Sequence, residues 1–274
     1  MFGMRGENKI DTFRMIAKEF NERVSHFTSV EGILYIGGLA RGFADKYSDV
    51  DIIVLMNNED PFTKDFLPSI SATLEDRSHV EMDVEVYLID DFRKRDWDEY
   101  QRWDFLHSEL AFDRTGNVAA ALKQILYMDE DTWKVRIAKN MIYFTWYCSG
   151  TEEYAPTMID LWIDRDDLIS AEYSVNYGID MLLELVYSLN RSFLPAPKWR
   201  YFYTRMLDWL PDGFEDNIRE AMIVTEISEA DSRRRAAALV NMWSDFLVRA
   251  EKEFDLTRQA IDNLYVKVVY GTGV

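Results

Sequence analysis

Cysteine is nearly absent from this chain. Cys148 is its single thiol, which excludes an internal disulfide and points to a reducing compartment. Histidine is scarce as well: His26, His79 and His107 all fall in the first half. The second half therefore has no histidine for a metal site or for nuclease chemistry built on an arginine–histidine pair, and the three histidines read as surface or helix residues. No apolar run approaches the roughly 18 residues a membrane span needs, and "MFGMRGENKIDTFRM" has no leader-like apolar stretch. The expectation is a soluble, cytoplasmic protein. Basic residues are outnumbered, 31 against 49 acidic, for a net charge of −18. Such a surface repels a phosphate backbone and disfavours extended nucleic-acid binding, while it favours solubility and attracts cationic small molecules or partner patches.

Apolar residues, by contrast, are plentiful at 48% of 274, enough for one large core or two moderate ones. Their spacing changes along the chain. Phe13, Ile16, Phe20 and Val24 recur at helical intervals behind a candidate cap at Asp11. "GILYIGG", "DVDIIVLM", "HVEMDVEVYLI" and "ELAFDRTGNV" then read as four strands. From about Asp129 the period becomes helical throughout, with stripes at Trp133, Ile137, Met141 and Phe144, at Ile179, Leu182, Val186 and Leu189, and at Leu239, Met242, Phe246 and Ala250. The prediction is an α+β protein, with a mixed-sheet domain over residues 1–128 followed by an all-α bundle over 129–274.

The strand "DVDIIVLM" begins with two acidic residues one position apart. On a strand, Asp49 and Asp51 share a face, and two carboxylates about 4 Å apart repel by about 4 kcal/mol at an effective dielectric near 20. Such a pair either starts a solvated strand end or holds a hard cation such as Mg²⁺ between its oxygens. Its neighbourhood favours the second reading. Gly37 and Gly38 can bring backbone N–H groups to a phosphate, Arg41 and Lys46 can neutralise one, and Ser48 is a donor or turn former. A third carboxylate is offered by Asp83 or Glu85, which share one face of the next strand.

With these residues in place, "GGLARGFADKYSDVD" resembles the signature of the DNA polymerase β-like nucleotidyltransferases. The "ARG" and "YSDVD" elements are similar to small-molecule members, including those that adenylylate aminoglycosides. The resemblance implies that Asp49, Asp51 and Asp83 hold magnesium, two ions by the family pattern, and carry the chemistry. The nucleotide would lie against Gly37, Gly38, Arg41, Lys46 and Ser48. An acceptor hydroxyl would attack the α-phosphorus of a nucleoside triphosphate, and pyrophosphate would leave. The acidic pair Asp90–Asp91 aligns the strand without gaps and selects Asp83, with Glu85 as the alternative. Many relatives carry serine where Gly38 stands, so one side-chain donor to the phosphates is lost.

In the second half, "LNRSFLPAPKWRYFYTRMLDWLP" interleaves cations with aromatics, a pattern that either packs a core or stacks a base beside a phosphate contact. Asn190, Arg191, Lys198 and Trp199 are its candidates, with Lys198 as a nucleotide contact. "MIDLWIDRDDLISAEYS" gathers Asp160, Asp164, Asp166, Asp167 and Glu172, a solvated helix face or an acidic wall for a cationic acceptor. The expected function is Mg²⁺-dependent transfer of AMP from ATP to a hydroxyl of a small molecule. The alternatives are the same chemistry on a protein side chain, or a nucleotide-binding module that has lost catalysis. The charge makes one prediction independent of mechanism. In a filter-binding or anisotropy titration at physiological salt, duplex DNA should bind no tighter than the non-specific range of about 10⁻⁶ M; a sub-micromolar complex would refute it.

Overall fold

Phe13, Ile16, Phe20 and Val24 form the buried stripe of α1 (Ile10–Val24), as their spacing requires. The helix starts earlier than a cap at Asp11 allows. Lys9 occupies the N-cap position without a side-chain cap bond, and Asp11 lies in the first turn, where its charge suits the helix dipole. The computed structural model describes residues 6–150 and 156–270, so the first five residues of the amino-terminal stretch discussed above lie outside it. The chain divides into two units, Met1–Tyr127 and Met128–Val274.

In the first unit α1 is followed by β1 (Val30–Tyr35), α2 (Gly37–Arg41), β2 (Val50–Met56), α3 (Pro61–Ser78), β3 (Met82–Leu88), α4 (Ile89–Lys94), α5 (Glu99–Leu106), β4 (Glu109–Asp113) and α6 (Asn117–Ile125). The strands make one mixed sheet of order β3-β2-β1-β4. β2 and β3 are parallel and joined by α3, the crossover such a pair requires, whereas β1 is antiparallel to both of its neighbours. α3 is started by Asp60, whose side chain accepts from Phe62 N, and by Pro61, whose fixed φ suits the first helical turn.

Period-two alternation sorts the sheet into two faces. Ile33, Tyr35, Val50, Ile52, Val54 and Met56 pack in one cluster with residues of α1 and α3. Leu34, Ile53 and Leu55 pack in another with Phe92, Trp97, Phe105 and Val118. Asp51 continues this second face, and Asp49 stands just before the first residue of β2.

The second unit holds α7 (Glu130–Phe144), which runs into a π-helical turn over Thr145–Ser149. α8 (Met158–Asp164), α9 (Leu168–Leu189), α10 (Phe214–Met222), α11 (Glu229–Val240), α12 (Trp243–Phe254) and α13 (Arg258–Tyr270) follow. The stripes on α7 and α9 are buried in one common core. The third predicted stripe is also buried but does not lie on one helix: the chain breaks between Val240 and Trp243, leaving Leu239 on α11 and Phe246 and Ala250 on α12. Among the described residues no helix is long and apolar enough to cross a membrane.

The π-turn is packed hard against α9 at Gly178. A Cβ built there would stand 2.2 Å from Cys148 Sγ, so only glycine allows the approach. Gly178→Ala should lower the thermal midpoint, overpacking of this kind costing about 1–3 kcal/mol. In a Cys148→Ala background the same substitution should be neutral or stabilising, since alanine is worth up to about 1 kcal/mol over glycine inside a helix. A double-mutant cycle from thermal unfolding checks the change of sign; additive effects would refute the packing argument.

Candidate active site

The site is built where β1 ends and β2 begins. After Tyr35 the chain enters α2 through Ile36, whose N–H donates to Asp51 O at 3.1 Å. Gly37 takes a left-handed φ of +62°, and a Cβ there would lie 1.8 Å from Asp51 Oδ2. The Asp51 carboxylate thus rests on the bare Cα of Gly37. Gly38 is enclosed differently: its Cβ would meet Phe43 O at 2.6 Å. A serine at this position would need the 38–43 backbone to move.

The parallel register sets Asp51 directly beside Asp83, and Ile53 beside Glu85. Asp49 stands just before β2, two positions ahead of Asp51. The three carboxylates act on one another. Burial first, then Asp49 and Asp83, push the Asp51 carboxyl up to about 7. Asp83, which is exposed, is also raised, by desolvation, Glu85 and Asp49. Glu85 lies one strand pitch further on, against an apolar neighbour, and accepts a hydrogen bond from the Tyr87 hydroxyl.

The basic and polar candidates are placed less uniformly. Arg41 is not held out toward solvent: its side chain is 8% exposed, it pairs with Asp104 of α5 at 2.7 Å, and its guanidinium lies 5.1 Å from the Trp103 ring centre. Its charge still reaches Asp51, whose carboxyl it lowers while Asp104 raises it. Lys46 is exposed beside the Tyr47 ring, at 4.7 Å. Ser48 serves the turn before β2, accepting from Asp45 N at 3.0 Å and donating to Asp45 Oδ1 at 3.3 Å. Lys46, Ser48 and Asp49 line one cleft together with Lys9, Glu81 and His79.

Asp104 and Trp103 were not visible as site residues from the sequence; a contact across 63 positions leaves no local pattern. His107 completes this group, its ring 4.3 Å from that of Trp103 and its Nδ1 2.8 Å from Trp103 O. Burial holds it below its ordinary range, with Arg41 adding to the effect.

In the second unit most of the expected site residues turn out to support the fold. Asn190 clasps Trp209, donating to its carbonyl and accepting from its N–H, both at 2.9 Å. Arg191 pairs with Glu130 at 2.8 Å and covers the Phe254 ring. Phe193 and Tyr203 are buried, and the stretch they belong to forms only two short 3₁₀ turns, Pro197–Trp199 and Phe202–Met206. Lys198 is exposed, 5.8 Å from the Trp199 ring. The acidic wall is dispersed too. Asp160 belongs to a capping box with Thr157 and accepts from Arg233, Asp167 caps α9, and Glu172 is buried against Arg235. Asp164 and Asp166 are exposed.

Which oxygens here fit a metal is decided by the donor set. Asp49, Asp51 and Asp83 offer oxygen ligands of like charge; the register sets Asp51 beside Asp83, and Asp49 raises the carboxyls of both, a repulsion that a hard divalent cation relieves. As the side chains stand, no group of three or more acidic, histidine or cysteine side chains among the described residues is closed into a ligand set.

Comparison with known proteins bears on this geometry. Residues 14–108 match the family model of the nucleotidyltransferase domain. That segment includes both glycines, Asp49, Asp51, Asp83 and Asp104. The sheet unit therefore carries a nucleotidyltransferase domain of the polymerase β-like superfamily. A domain of this family supports a transferase and implies a nucleotide substrate, and domains of this kind generally use a divalent metal. No curated protein matches the chain. Among solved structures, a nucleotidyltransferase-like protein from Exiguobacterium sibiricum 255-15 is similar at 9% identity and a TM-score of 0.44, over 96% of this chain and 81% of that one.

A carboxyl raised by burial and like charge opposes folding once it ionises. For Asp51 the penalty is absent below the ordinary value of about 3.9, grows as pH rises, and is complete above about 7. Asp51→Asn should therefore unfold at a higher temperature than the wild type at pH 8 in chelator, by an amount equivalent to at most about 4 kcal/mol. The gain should shrink as the pH falls toward 4. Thermal melts across that range check it, and a gain at pH 4.5 as large as at pH 8 would contradict the assignment.

Proposed function

We propose that the protein transfers a nucleoside monophosphate, AMP from ATP in the first instance, to a hydroxyl of a small molecule, releasing pyrophosphate. The observation that carries this reading is the β2–β3 register. It sets Asp83 beside Asp51, two positions after Asp49 and directly next to a backbone turn that only glycine can form.

Asp49 and Asp51 would hold the divalent metal, Mg²⁺ and two ions by the family pattern, with Asp83 completing the set. When bound, the metal supplies charge neutralisation at the triphosphate. Gly37, having no side chain, leaves the room that the Asp51 carboxylate occupies at this turn. Gly37 and Gly38 leave the backbone open to approach by phosphate oxygens, and Lys46 and Ser48 border the same cleft as Asp49. Arg41 contributes a fixed positive charge from behind, held in place by Asp104.

Asp83 is the residue that would take the proton from the acceptor hydroxyl, at a carboxylate oxygen. Its raised pKa suits a base, since a more basic carboxylate accepts a proton more readily. The register argues for Asp83 over Glu85. The two Cα atoms are roughly 6.5–7 Å apart along the strand, and a base must come within about 2.6–3.2 Å of the proton it removes. Glu85 is also engaged by Tyr87.

The test is pyrophosphate release with Mg²⁺ and each of the four nucleoside triphosphates, with and without hydroxyl-bearing acceptors. Asp51→Asn should abolish release while leaving the chain folded. Asp83→Asn should lower kcat by about 10²- to 10⁴-fold with little change in nucleotide affinity, the usual worth of a positioned base. Glu85→Gln should cost far less. If Asp51→Asn turns over at the wild-type rate the metal assignment is wrong, and if Glu85→Gln is silent while Asp83→Asn is active the two acidic residues exchange roles.

A further inference from the structure

The connection from α10 to α11 places apolar side chains in water. Met222, Ile223, Val224 and Ile227 are between 44% and 55% exposed, all within one short stretch of chain. Single apolar residues are normal on a surface, whereas a contiguous run marks an interaction site. The backbone here is also extended. It leaves α10 at Ile223 and enters α11 at Ser228, both in β geometry, and residues 223–226 form neither helix nor turn. Valine, isoleucine and threonine favour such a backbone.

The polar groups of the segment alternate in what they meet. Ile223 is satisfied within its own chain: its N–H donates to Arg219 O at 3.2 Å, and its carbonyl accepts from Arg234 Nη2 at 2.6 Å. Arg234 and the Thr225 hydroxyl both donate to Asp231, which fixes the segment to α11. Val224 and Glu226 have no hydrogen-bond partner among the described residues. In an extended chain, residues two apart present their N–H and C=O groups to the same side. Val224 and Glu226 therefore make one open strand edge, a template for pairing with another chain.

Symmetry and charge identify the occupant. About a two-fold axis through Thr225, two copies of the segment pair antiparallel. Ile223 then stands opposite Ile227, Val224 opposite Glu226, and Thr225 opposite its own copy. Val224 and Glu226 become hydrogen-bonded pairs that exchange both bonds, so every free N–H and C=O group of that edge is answered. The remaining pairs set isoleucine against isoleucine and threonine against threonine, favourable cross-strand neighbours. With a net charge of −18 two copies repel one another in general, but residues 219–235 carry four arginines and four acidic residues. The open edge stands on a locally neutral stretch, where that repulsion is relieved.

We propose that residues 222–227 form an isologous, β-type interface with a second copy of this chain. The interface goes beyond the transfer reaction and does not depend on it, since it uses no residue of the sheet unit.

The test is sedimentation velocity on the full chain, without nucleotide or metal, in about 0.15 M salt to screen diffuse charge repulsion. An interface this small belongs to the transient class, below about 1,200 Å² in total. The wild type should therefore show a reversible monomer–dimer equilibrium between about 1 and 300 µM, with Kd on the order of 10–100 µM. Val224→Pro removes a donor from each copy and with it half of the bonds between them, so Kd should rise about tenfold or more. The extended ψ of 112° at Ile223 suits a proline after it. Ile223→Lys and Ile227→Glu, both at exposed positions, should each weaken the dimer as well, and they carry the test if Val224→Pro does not fold. Combined, they set each introduced lysine opposite the other copy's introduced glutamate, and the double variant should dimerise more tightly than either single one. A chain that stays monomeric throughout that range overturns the proposal and leaves the edge to a different partner. A dimer that Val224→Pro and Ile227→Glu both leave intact overturns it too, as does a double variant no tighter than the single ones.

Discussion

The Asp51 carboxylate lies against the Cα of Gly37, and much of the sheet unit is arranged around that contact. It requires a residue without a side chain at the start of α2 and a left-handed backbone there. It ties the end of β1 to the beginning of β2, since Ile36 donates to the Asp51 carbonyl as the Asp51 side chain covers Gly37. The apolar pattern further along the sheet then fixes the third carboxylate. β2 places Ile52 and Val54 in the core beside α1 and α3, and Ile53 and Leu55 in the core on the other face. A slip of β3 by one residue would turn Asp83 away and bring an apolar neighbour beside Asp51. Core packing distant from the chemistry thus determines which acidic residues meet.

The same contact explains why the site is unfavourable for folding in the absence of a ligand. The helical unit shows how this protein treats a buried carboxylate when stability alone is at stake. Glu172 pairs with Arg235, which is 1% exposed and also donates to Asn176 Oδ1 and Ala221 O, both at 2.6 Å. Every charge there is answered. Asp51 is in different company: Asp49 and Asp83 repel it, and the cation acting on it, Arg41, is already bound to Asp104. A charge left uncompensated in a turn that only glycine can form is the local inconsistency that functional sites display and structural ones avoid.

What the sequence makes legible follows from the range of each interaction. The strands and their burial are consequences of a two-residue period, which needs no partner to be read. Asp83 and Glu85 share a face, so the period alone leaves both open, and only pairing with β2 separates them. Arg41 reads as a phosphate ligand because its partner lies 63 residues on, a separation that leaves no local pattern. The stripe through Leu239 and Ala250 keeps its spacing across a helix break, because burial requires a continuous apolar surface and tolerates a discontinuous backbone. The acidic run near Asp160 is misleading for a related reason: capping and ion pairing draw on the same residue types as recognition, and here they claim Asp160, Asp167 and Glu172.

The glycines carry a further step of this argument, because three of them are there for contacts and not for flexibility. Gly37 receives a carboxylate, Gly38 a carbonyl and Gly178 a thiol, each at a distance that a methyl group would close. Two of the three stand at the candidate active site, and the third sets the turn that presents Tyr147 to Tyr177. In each case the missing side chain fixes a neighbouring group more tightly than an added one would, since the neighbour occupies the vacated volume and packing holds it there. Gly38 shows the chemical consequence. The room a side chain would take at this position is filled by the Phe43 carbonyl, so any phosphate held at this turn depends on backbone N–H groups and on the cations around it.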